Sequence, residues 1–342
     1  MPSRLYSVSF KTYLEICFYI ALMLFVVPMR KENSHQYKQK FLNYMRDFNK
    51  SYSDDVMFNK RLAAFQRSLE DIDRLNLNRT NTSALYGLTK FSDLTPEEFL
   101  QLQNNKQNTA LKNDNLISKR STSTYWPGIP KQIDWRDKHV VSKVKHQKDC
   151  GACWAFAVIE TIESMKAIKT NQLRELSVQQ MIDCSDYNNG CFGGDTCLLL
   201  RWLKDFNVSI VSETDYPVKL IDQNCQKTNK LSYKVQIDNY ACDNFLGRED
   251  VVLKLLAING PVAVGISAQT WQHYVGGVIQ FHCDGKLSHA VQIVGYNLNA
   301  VVPYYIVRNS WGNDFGDNGY LYIAIGSNVC GIAYEVAAVT VL

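Results

Sequence analysis

Residues 147–156 read Gln-Lys-Asp-Cys-Gly-Ala-Cys-Trp-Ala-Phe, and this stretch is the most informative part of the chain. Apolar residues recur at helical spacing over residues 155–169, which predicts a helix with Cys153 at or just inside its N-terminus. The free amides and partial positive charge of a helix N-terminus stabilise a thiolate relative to a thiol. The stretch therefore predicts a nucleophilic cysteine, which needs a histidine as its partner in proton transfer.

Two other interpretations of the Cys150-x-x-Cys153 spacing are a zinc half-site and a redox pair. A zinc site needs a second closely spaced pair of Cys or His residues, and the sequence contains none. A thioredoxin-type redox pair follows a strand in a βαβ unit, whereas the segment before Cys150 is polar. Both interpretations are disfavoured relative to the nucleophile.

Composition narrows the class of protein. The chain has 342 residues, 46% of them hydrophobic, so it can form a packed core. A net charge of +4 is too weak to predict a nucleic-acid partner or a membrane surface, and ten cysteines indicate an oxidising compartment. Helical segments come first and short strand-like runs follow after about residue 231, which predicts an α+β fold of two subdomains.

The N-terminal residues 1–28 are predicted to be a secretory signal peptide. Arg4 and Lys11 form a basic start, and an uninterrupted apolar run covers residues 16–27. This run, which includes Cys17, is shorter than the ~20 residues that a bilayer requires. A retained signal anchor is the alternative.

The quoted stretch resembles the nucleophile motif of the papain-like cysteine peptidases, in which a cysteine acts with a histidine and an asparagine. His289 lies 136 residues after Cys153 within Leu-Ser-His-Ala-Val, and Asn309 lies 156 residues after it within Val-Arg-Asn-Ser-Trp-Gly. The resemblance implies that Cys153 is the nucleophile and His289 the general acid/base. It also implies that Asn309 orients the imidazole and that Gln147 donates to the oxyanion. The implied fold has a helical half and a β-barrel-like half, with the active-site cleft between them.

The same resemblance implies a substrate cleft. Gly193 and Gly194 would pair through their main chain with an extended peptide, and Trp311 would shield the hydrogen bond of His289 from water. Glu335 would form the floor of the main specificity pocket, where it could pair with Arg or Lys at the second residue before the cut, alongside apolar side chains. The alternative is that Glu335 faces solvent. The other implied lining residues are Asp195, Thr196, Gly265, Ala268 and Ser288.

Residues 36–100 resemble the inhibitory propeptide of this family. The segments 57–76 and 87–99 follow its two motifs, with departures at Met57, Ser68 and Thr89. Residues 101–128 have the polar composition of a linker, and the dibasic pair Lys119-Arg120 predicts activation cleavage between about residues 119 and 129. The peptidase domain is predicted to span residues 129–342.

The cysteines divide by resemblance into three groups. The family pattern implies three disulfide bonds, Cys150–Cys191, Cys184–Cys225 and Cys283–Cys330. It supplies no role for Cys197 and Cys242, which either form a fourth bridge or stay free and buried. Four N-x-Ser/Thr sequons are candidate glycosylation sites, at Asn49, Asn78, Asn81 and Asn207.

These features predict a lysosomal or secreted cysteine endopeptidase that acts in intracellular protein turnover and is made as an inactive zymogen. Only six residues separate Cys184 from Cys191, which leaves no room for the long occluding insertion of carboxydipeptidase relatives. Residues 177–180, 276–280 and 326–333 carry a closer resemblance to one branch of the family. We expect peptide or protein substrates, no metal or organic cofactor, no nucleic acid, no stable membrane partner and a monomer.

Two rival functions remain as alternatives. One is a catalytically inactive homologue used as a binding protein, and the other is a peptidase inhibitor built on the pro-region alone. The intact set of Cys153, His289 and Asn309 argues against the first, and the complete catalytic half argues against the second.

Overall fold

The structure is a computed structural model, and it describes residues 35–103, 128–226, 233–283 and 286–342. The predicted signal peptide, Cys17 and the Lys119-Arg120 pair lie outside the described residues. The chain divides into two compact units, Met1–Glu70 and Asp71–Leu342. None of the described helices is both long enough and apolar enough to cross a membrane.

The first unit contains a helix α1 over residues 35–47 and most of helix α2 (Asp55–Asn76). Its core is aromatic, with Phe41 and Phe65 fully buried and their ring centroids 5.2 Å apart. The helical periodicity of the sequence is confirmed but is interrupted at residues 48–54. The interruption ends where the Asp54 carboxylate accepts a hydrogen bond from the amide of Met57 at 2.8 Å, which caps α2.

The second unit contains the remaining helices and all of the described strands. The helices are α3 (Pro96–Gln103), α4 (Cys153–Thr170), α5 (Val178–Cys184), α6 (Thr196–Asp205) and α7 (Glu249–Ile258). The strands are β1 (Leu85–Tyr86), β2 (Gln132–Asp134), β3 (Ile210–Val211), β4 (Lys234–Val235), β5 (Ile237–Asp243), β6 (Val262–Ile266), β7 (Tyr274–Gly276), β8 (Val278–Ile279), β9 (His289–Asn297), β10 (Tyr304–Arg308), β11 (Tyr320–Ala324) and β12 (Val336–Val341).

One large sheet organises the second unit. Its strand order is β5-β12-β6-β9-β10-β11-β8, with β2 added beside β9, and all pairs are antiparallel except β11 with β8. The central strand β9 is buried from His289 to Tyr296, and its side chains alternate between two cores. Ala290 belongs to the core that contains α4, α5 and α6, whereas Val291 belongs to the core on the other side, which contains α7. The α+β fold with a helical half and a β half is therefore confirmed.

Four disulfide bonds cross-link the second unit. The three expected pairs, Cys150–Cys191, Cys184–Cys225 and Cys283–Cys330, are all present. Cys197 and Cys242, for which the sequence left two alternatives, form a fourth bridge. Cys153 is the unpaired cysteine among the described residues.

Candidate active site

Cys153 is the first residue of α4, as the sequence predicts, and its side chain is fully buried. Burial raises the pKa of the Cys153 thiol to about 12, and it outweighs the main-chain hydrogen bonds to Ala290, Trp154 and Cys153 itself, which lower the pKa. The helix N-terminus therefore favours the thiolate, but the covered site does not. In this form of the protein the sulfur is a neutral thiol.

His289 and Asn309 come from adjacent strands. His289 begins β9, Asn309 directly follows β10, and His289 Nε2 lies 2.8 Å from the Asn309 side-chain oxygen. Because an amide oxygen only accepts, Nε2 carries the proton and Nδ1 has a free lone pair. Nδ1 is buried and has no hydrogen-bond partner among the described residues. Burial lowers the pKa of His289 to about 4, against a smaller opposing effect of Asn309, so the imidazole is neutral.

Trp311 covers this pair. Its ring stacks on the His289 ring with centroids 4.7 Å apart, and its exposed fraction is 2%. The rings of Trp271 and Phe315 lie edge-on to it at 6.2 and 4.8 Å. This arrangement excludes water from the hydrogen bond between His289 and Asn309.

Gln147 is held in place by the residue after Asn309. The Ser310 hydroxyl donates to Gln147 Oε1 at 2.5 Å, and the main-chain amide of Gln147 donates to the Ser310 carbonyl at 2.8 Å. These two bonds fix the orientation of the side-chain amide, whose Nε2 then donates to the carbonyls of Leu102 and Cys150 at 3.0 Å each. Gln147 and Ser310, which lie 163 positions apart in the sequence, thus meet at one site.

The pro-segment, residues 71–103 of the second unit, reaches this site through its last described residue, Gln103. Helix α3 starts with a capping box, because the Thr95 hydroxyl accepts from the Glu98 amide and the Glu98 carboxylate accepts from the Thr95 amide. Its last residue, Gln103, accepts a hydrogen bond from Cys153 Sγ at 3.2 Å through its carbonyl oxygen. The preceding carbonyl, of Leu102, is the one bonded to Gln147. Two successive carbonyls therefore cover the thiol and the expected oxyanion donor.

The Gln103 side chain was missed by the sequence interpretation, which treated residues 101–128 as polar linker. Its exposed fraction is 0%, and both ends of its side-chain amide form hydrogen bonds. Nε2 donates to the Ala268 carbonyl at 3.2 Å, and Oε1 accepts from the Ser288 hydroxyl at 2.6 Å. Nothing in the sequence distinguishes Gln103 from the exposed Gln101, because the difference lies in partners that are distant along the chain.

Residues 85–99 of the pro-segment pack against the segments 272–276 and 311–314 of the peptidase domain. β1 pairs with β7, and Thr89, one of the departures from the family motif, donates its hydroxyl to the Gln272 carbonyl at 2.5 Å. Lys90 Nζ donates to Asp314 at 2.6 Å. Phe91 and Phe99 lie edge-on to Trp311, with centroids 5.5 and 5.3 Å away. The pro-segment is thus held by main-chain, charged and aromatic contacts.

The glycines predicted to bind substrate main chain are both required by their surroundings. Gly193 has a φ of 105°, which favours glycine. A Cβ on Gly194 would lie 2.6 Å from the Trp154 ring and 2.4 Å from the Asn188 side-chain oxygen. The main chain at this point therefore runs against the residue that follows Cys153.

The predicted specificity residues are held by hydrogen bonds to one another and to the pro-segment. Glu335 is half-buried and accepts from the Thr196 hydroxyl at 2.8 Å, and its carbonyl accepts from the Gly265 amide at 3.0 Å. Asp195 lies beside them and caps α6 by accepting from the Leu198 amide at 2.8 Å. Ala268 contacts Ser288 and Gln103: its amide donates to the Ser288 hydroxyl at 3.3 Å, and its carbonyl accepts from the Gln103 side chain at 3.2 Å.

A buried charge cluster behind the site was also missed. Arg308 precedes Asn309, is fully buried and forms an ion pair with Glu160 of α4 at 3.3 Å. Lys145 pairs with Glu163 one turn further along the helix at 2.6 Å. Burial raises the pKa of Glu160 to about 7, and Arg308 and Lys145 oppose that rise. The sequence signal was Glu160 itself, a carboxylate inside the apolar run of α4.

The comparisons with known proteins agree with this geometry. The family model described as papain family cysteine protease matches residues 129–340, and the cathepsin propeptide inhibitor domain (I29) matches residues 41–99. Cathepsin O of Mus musculus is 40% identical over 294 residues, covering 82% of this chain and 90% of that protein. Cathepsin O of Homo sapiens is also 40% identical, over 285 residues that cover 82% and 88%. These relatives identify the branch that residues 177–180, 276–280 and 326–333 resemble.

Solved structures of precursor forms are also similar. A recombinant stem bromelain precursor matches with a TM-score of 0.76 at 30% identity, covering 89% of this chain and 99% of that chain. Digestive procathepsin L 3 of Tenebrio molitor larval midgut matches with a TM-score of 0.73 at 28% identity, with the same two coverages. The chain therefore belongs to the papain family of cysteine proteases, as a cathepsin O-like cysteine endopeptidase made with an inhibitory propeptide.

Proposed function

We propose that this protein is a lysosomal or secreted endopeptidase that cleaves peptide bonds through a Cys153 thiolate and a His289 imidazolium. Release of the pro-segment admits water and removes the burial that keeps both groups neutral. The Cys153 proton then moves to Nδ1 of His289, whose Nε2–H stays bonded to Asn309. This ion pair is the reactive state of the enzyme.

In the acylation step the Cys153 sulfur attacks the peptide carbonyl. Gln147 Nε2 and the Cys153 amide stabilise the negative charge on the carbonyl oxygen. His289 gives its Nδ1 proton to the departing amine, so the C–N bond breaks and a thioester remains. His289 then takes a proton from water, whose oxygen attacks the thioester and releases the acid product and the Cys153 sulfur.

One observation carries this proposal. The carbonyl of Leu102 accepts a hydrogen bond from Gln147 Nε2 at 3.0 Å, and the carbonyl of Gln103 accepts one from Cys153 Sγ at 3.2 Å. A substrate carbonyl that is attacked by Cys153 needs the hydrogen bond of Gln147 Nε2. The contact therefore supports both the role of Gln147 and inhibition by occupation of the site.

Labelling with a peptidyl epoxide tests the catalytic assignment. We expect the reagent to modify Cys153 after the propeptide has been removed, and to modify the intact zymogen far more slowly. The Cys153→Ser variant is the control and should remain unlabelled. Processed protein that is folded but neither labels nor cleaves any peptide would identify the inactive binding homologue instead.

Substrate preference follows from Glu335. The hydrogen bond from Thr196 fixes the carboxylate at the edge of α6, which supports a pocket that takes Arg or Lys at the second residue before the cut, in addition to apolar side chains. Two peptides that differ only in Arg or Leu at this position test the preference. Glu335→Gln should reduce kcat/KM for the Arg peptide and leave the Leu peptide nearly unchanged; equal losses would contradict the assignment.

We also propose a secretory route, activation cleavage between about residues 119 and 129, and action as a monomer in protein turnover. Four disulfide bonds and a propeptide of the cathepsin type support the route. N-terminal sequencing of the secreted and the acid-processed protein tests both cleavages. Size-exclusion chromatography with light scattering tests the monomer.

A further inference from the structure

The bridge between Cys197 and Cys242 lies beside the side chain at the floor of the proposed specificity pocket. Side-chain atoms of Asp195, Cys197 and Glu335 all lie within 4.8 Å of one another. Because the sulfur of Cys197 is bonded to Cys242, it acts here as a cross-link and not as a metal ligand. The bridge is therefore close enough to influence the pocket directly.

On one side the bridge fixes the start of α6. Cys197 lies in the first turn of this helix, directly after Thr196. The Asp195 carboxylate caps the same turn through the Leu198 amide at 2.8 Å, so residues 195–198 form one rigid turn. Any displacement of Cys197 consequently moves Thr196, the donor to Glu335.

On the other side the bridge is fixed to the sheet that carries Glu335. Cys242 on β5 pairs with Ala337 on β12, and Glu335 directly precedes β12. The Gly265 amide on β6 holds the Glu335 carbonyl at 3.0 Å. Main-chain hydrogen bonds of the sheet thus connect Glu335 to the strand that carries Cys242.

At the N-terminal end of α6, next to the proposed pocket, the Cys197–Cys242 disulfide bond attaches the helix covalently to β5. At the opposite end of the helix Lys204 Nζ donates to the Asp238 carbonyl, an exposed hydrogen bond that contributes little. Without the bridge, the start of α6 would be held by packing and by the Asp195 amide, which donates to the Asn188 side-chain oxygen at 2.7 Å. The bridge is the covalent constraint at the end of α6 where Thr196 donates to Glu335 at 2.8 Å.

We propose that the Cys197–Cys242 bridge is a specificity-determining element: it holds Thr196 against Glu335 and so orients the carboxylate toward the substrate side chain. The proposal rests on the proposed function, since it requires Glu335 to face the second residue before the cut. Loss of the bridge frees the carboxylate to turn away. Discrimination between Arg and Leu then falls, while the chemistry at Cys153 is unaffected.

The test compares two bridge deletions in the full-length chain after removal of the propeptide. The variant is Cys197→Ser with Cys242→Ser, and the matched control is Cys184→Ser with Cys225→Ser. The bridges span 45 and 41 residues, so their loop-closure contributions to stability are similar. We expect the Arg-to-Leu ratio of kcat/KM to fall about fivefold in the variant, through KM, and to stay within about twofold in the control.

Thr196→Val supplies a second variant that retains the bridge. It should lower the ratio by a similar factor, and it should add no further loss to the bridge-deleted chain. If the bridge-deleted chain does not fold, the Thr196→Val ratio is measured together with a non-reducing peptide map of the parent enzyme. Free Cys197 and Cys242 thiols in that map, or an unchanged ratio in Thr196→Val, overturn the proposal.

The outcomes separate this proposal from the proposed function. An unchanged ratio in a bridge-deleted enzyme that still labels at Cys153 overturns the role of the bridge and leaves the peptidase assignment intact. A parent ratio that is insensitive to Glu335→Gln overturns the pocket assignment and the bridge role together. Failure to cleave either peptide in a Cys153-dependent way contradicts the proposed function itself.

Discussion

At the residue scale, Gln103 shows how a polar side chain becomes part of a core. Its amide would favour solvent, and the composition around it predicts a linker. Burial is stable because both ends of the amide have partners, Ala268 at 3.2 Å and Ser288 at 2.6 Å. The carbonyl of the same residue receives the Cys153 sulfur at 3.2 Å. One residue therefore ties the pro-segment to the nucleophile.

Gln103→Ala should open the zymogen without altering the peptidase. The substitution removes two buried hydrogen bonds of about 1 kcal/mol each, so Cys153 in the intact zymogen should react with a peptidyl epoxide about thirtyfold faster at pH 7. Gln101→Ala is the matched control, since Gln101 is exposed on the same helix. Equal labelling rates in the two variants would contradict the role of the Gln103 side chain.

At the element scale, the buried pair of Arg308 and Glu160 joins the helix that bears Cys153 to the strand β10, which ends at Arg308 directly before Asn309. Arg308 also donates to the Ser142 hydroxyl at 3.1 Å and to the Lys143 carbonyl. Removing one charge of such a pair leaves the other buried without compensation, which costs far more than removing both. The spacing between α4 and β10 therefore depends on both residues.

Arg308→Leu alone is expected to lower the free energy of unfolding by about 3–5 kcal/mol. The double variant with Glu160→Leu should recover most of this loss, because no unpaired charge remains between the two elements. Urea denaturation in the Cys153→Ser background, which prevents self-cleavage, measures both. A double variant as unstable as the sum of its single variants would show that the pair does not interact.

The contact of the pro-segment with His273, which directly precedes β7, gives the zymogen a pH dependence. Burial lowers the pKa of His273 to about 4 from 6.5, Asp71 opposes this shift and Arg74 adds to it, and the Ser92 hydroxyl lies 3.4 Å from Nδ1. The covered state thus binds fewer protons than the released state. Its stability is complete above pH 6.5 and is lost as the pH falls from about 6.5 toward 4.

His273→Gln should therefore weaken the acid dependence of opening. The rise in the Cys153 labelling rate of the zymogen between pH 7 and pH 4.5 should be about tenfold smaller than in the parent. His139→Gln, at an exposed histidine, is the control. The ionisation of Cys153 and His289 is common to all three proteins and cancels in the comparison. An identical pH profile in His273→Gln would assign acid opening to other groups.

At the scale of the whole molecule, the disulfide bonds and the glycosylation sequons favour folding in the secretory pathway. Four disulfide bonds cross-link the second unit. The sequon residues Asn49, Asn78, Asn81 and Asn207 are all exposed. Only Asn207 lies within residues 129–342, in a turn where its φ is 46°. Oxidised thiols and exposed acceptors are both typical of proteins that fold in the secretory pathway.

The processed enzyme should therefore carry a single N-linked glycan. Endoglycosidase treatment of protein from a eukaryotic secretory host should reduce its mass by one glycan, and Asn207→Gln should abolish that shift. The intact zymogen should lose more mass, because its other three sequons are also exposed. A processed enzyme with no shift would show that Asn207 is not modified.

The sequence by itself determined the α+β class, the start of α4 at Cys153 and three of the four bridges. Periodicity and short motifs encode these features locally or by family resemblance. Only the tertiary structure decided that Gln103 covers Cys153, that Arg308 pairs with Glu160 and that Cys197 bonds to Cys242. Each of these pairings depends on how α3, α4 and α6 pack against the sheet. No local pattern specifies that packing.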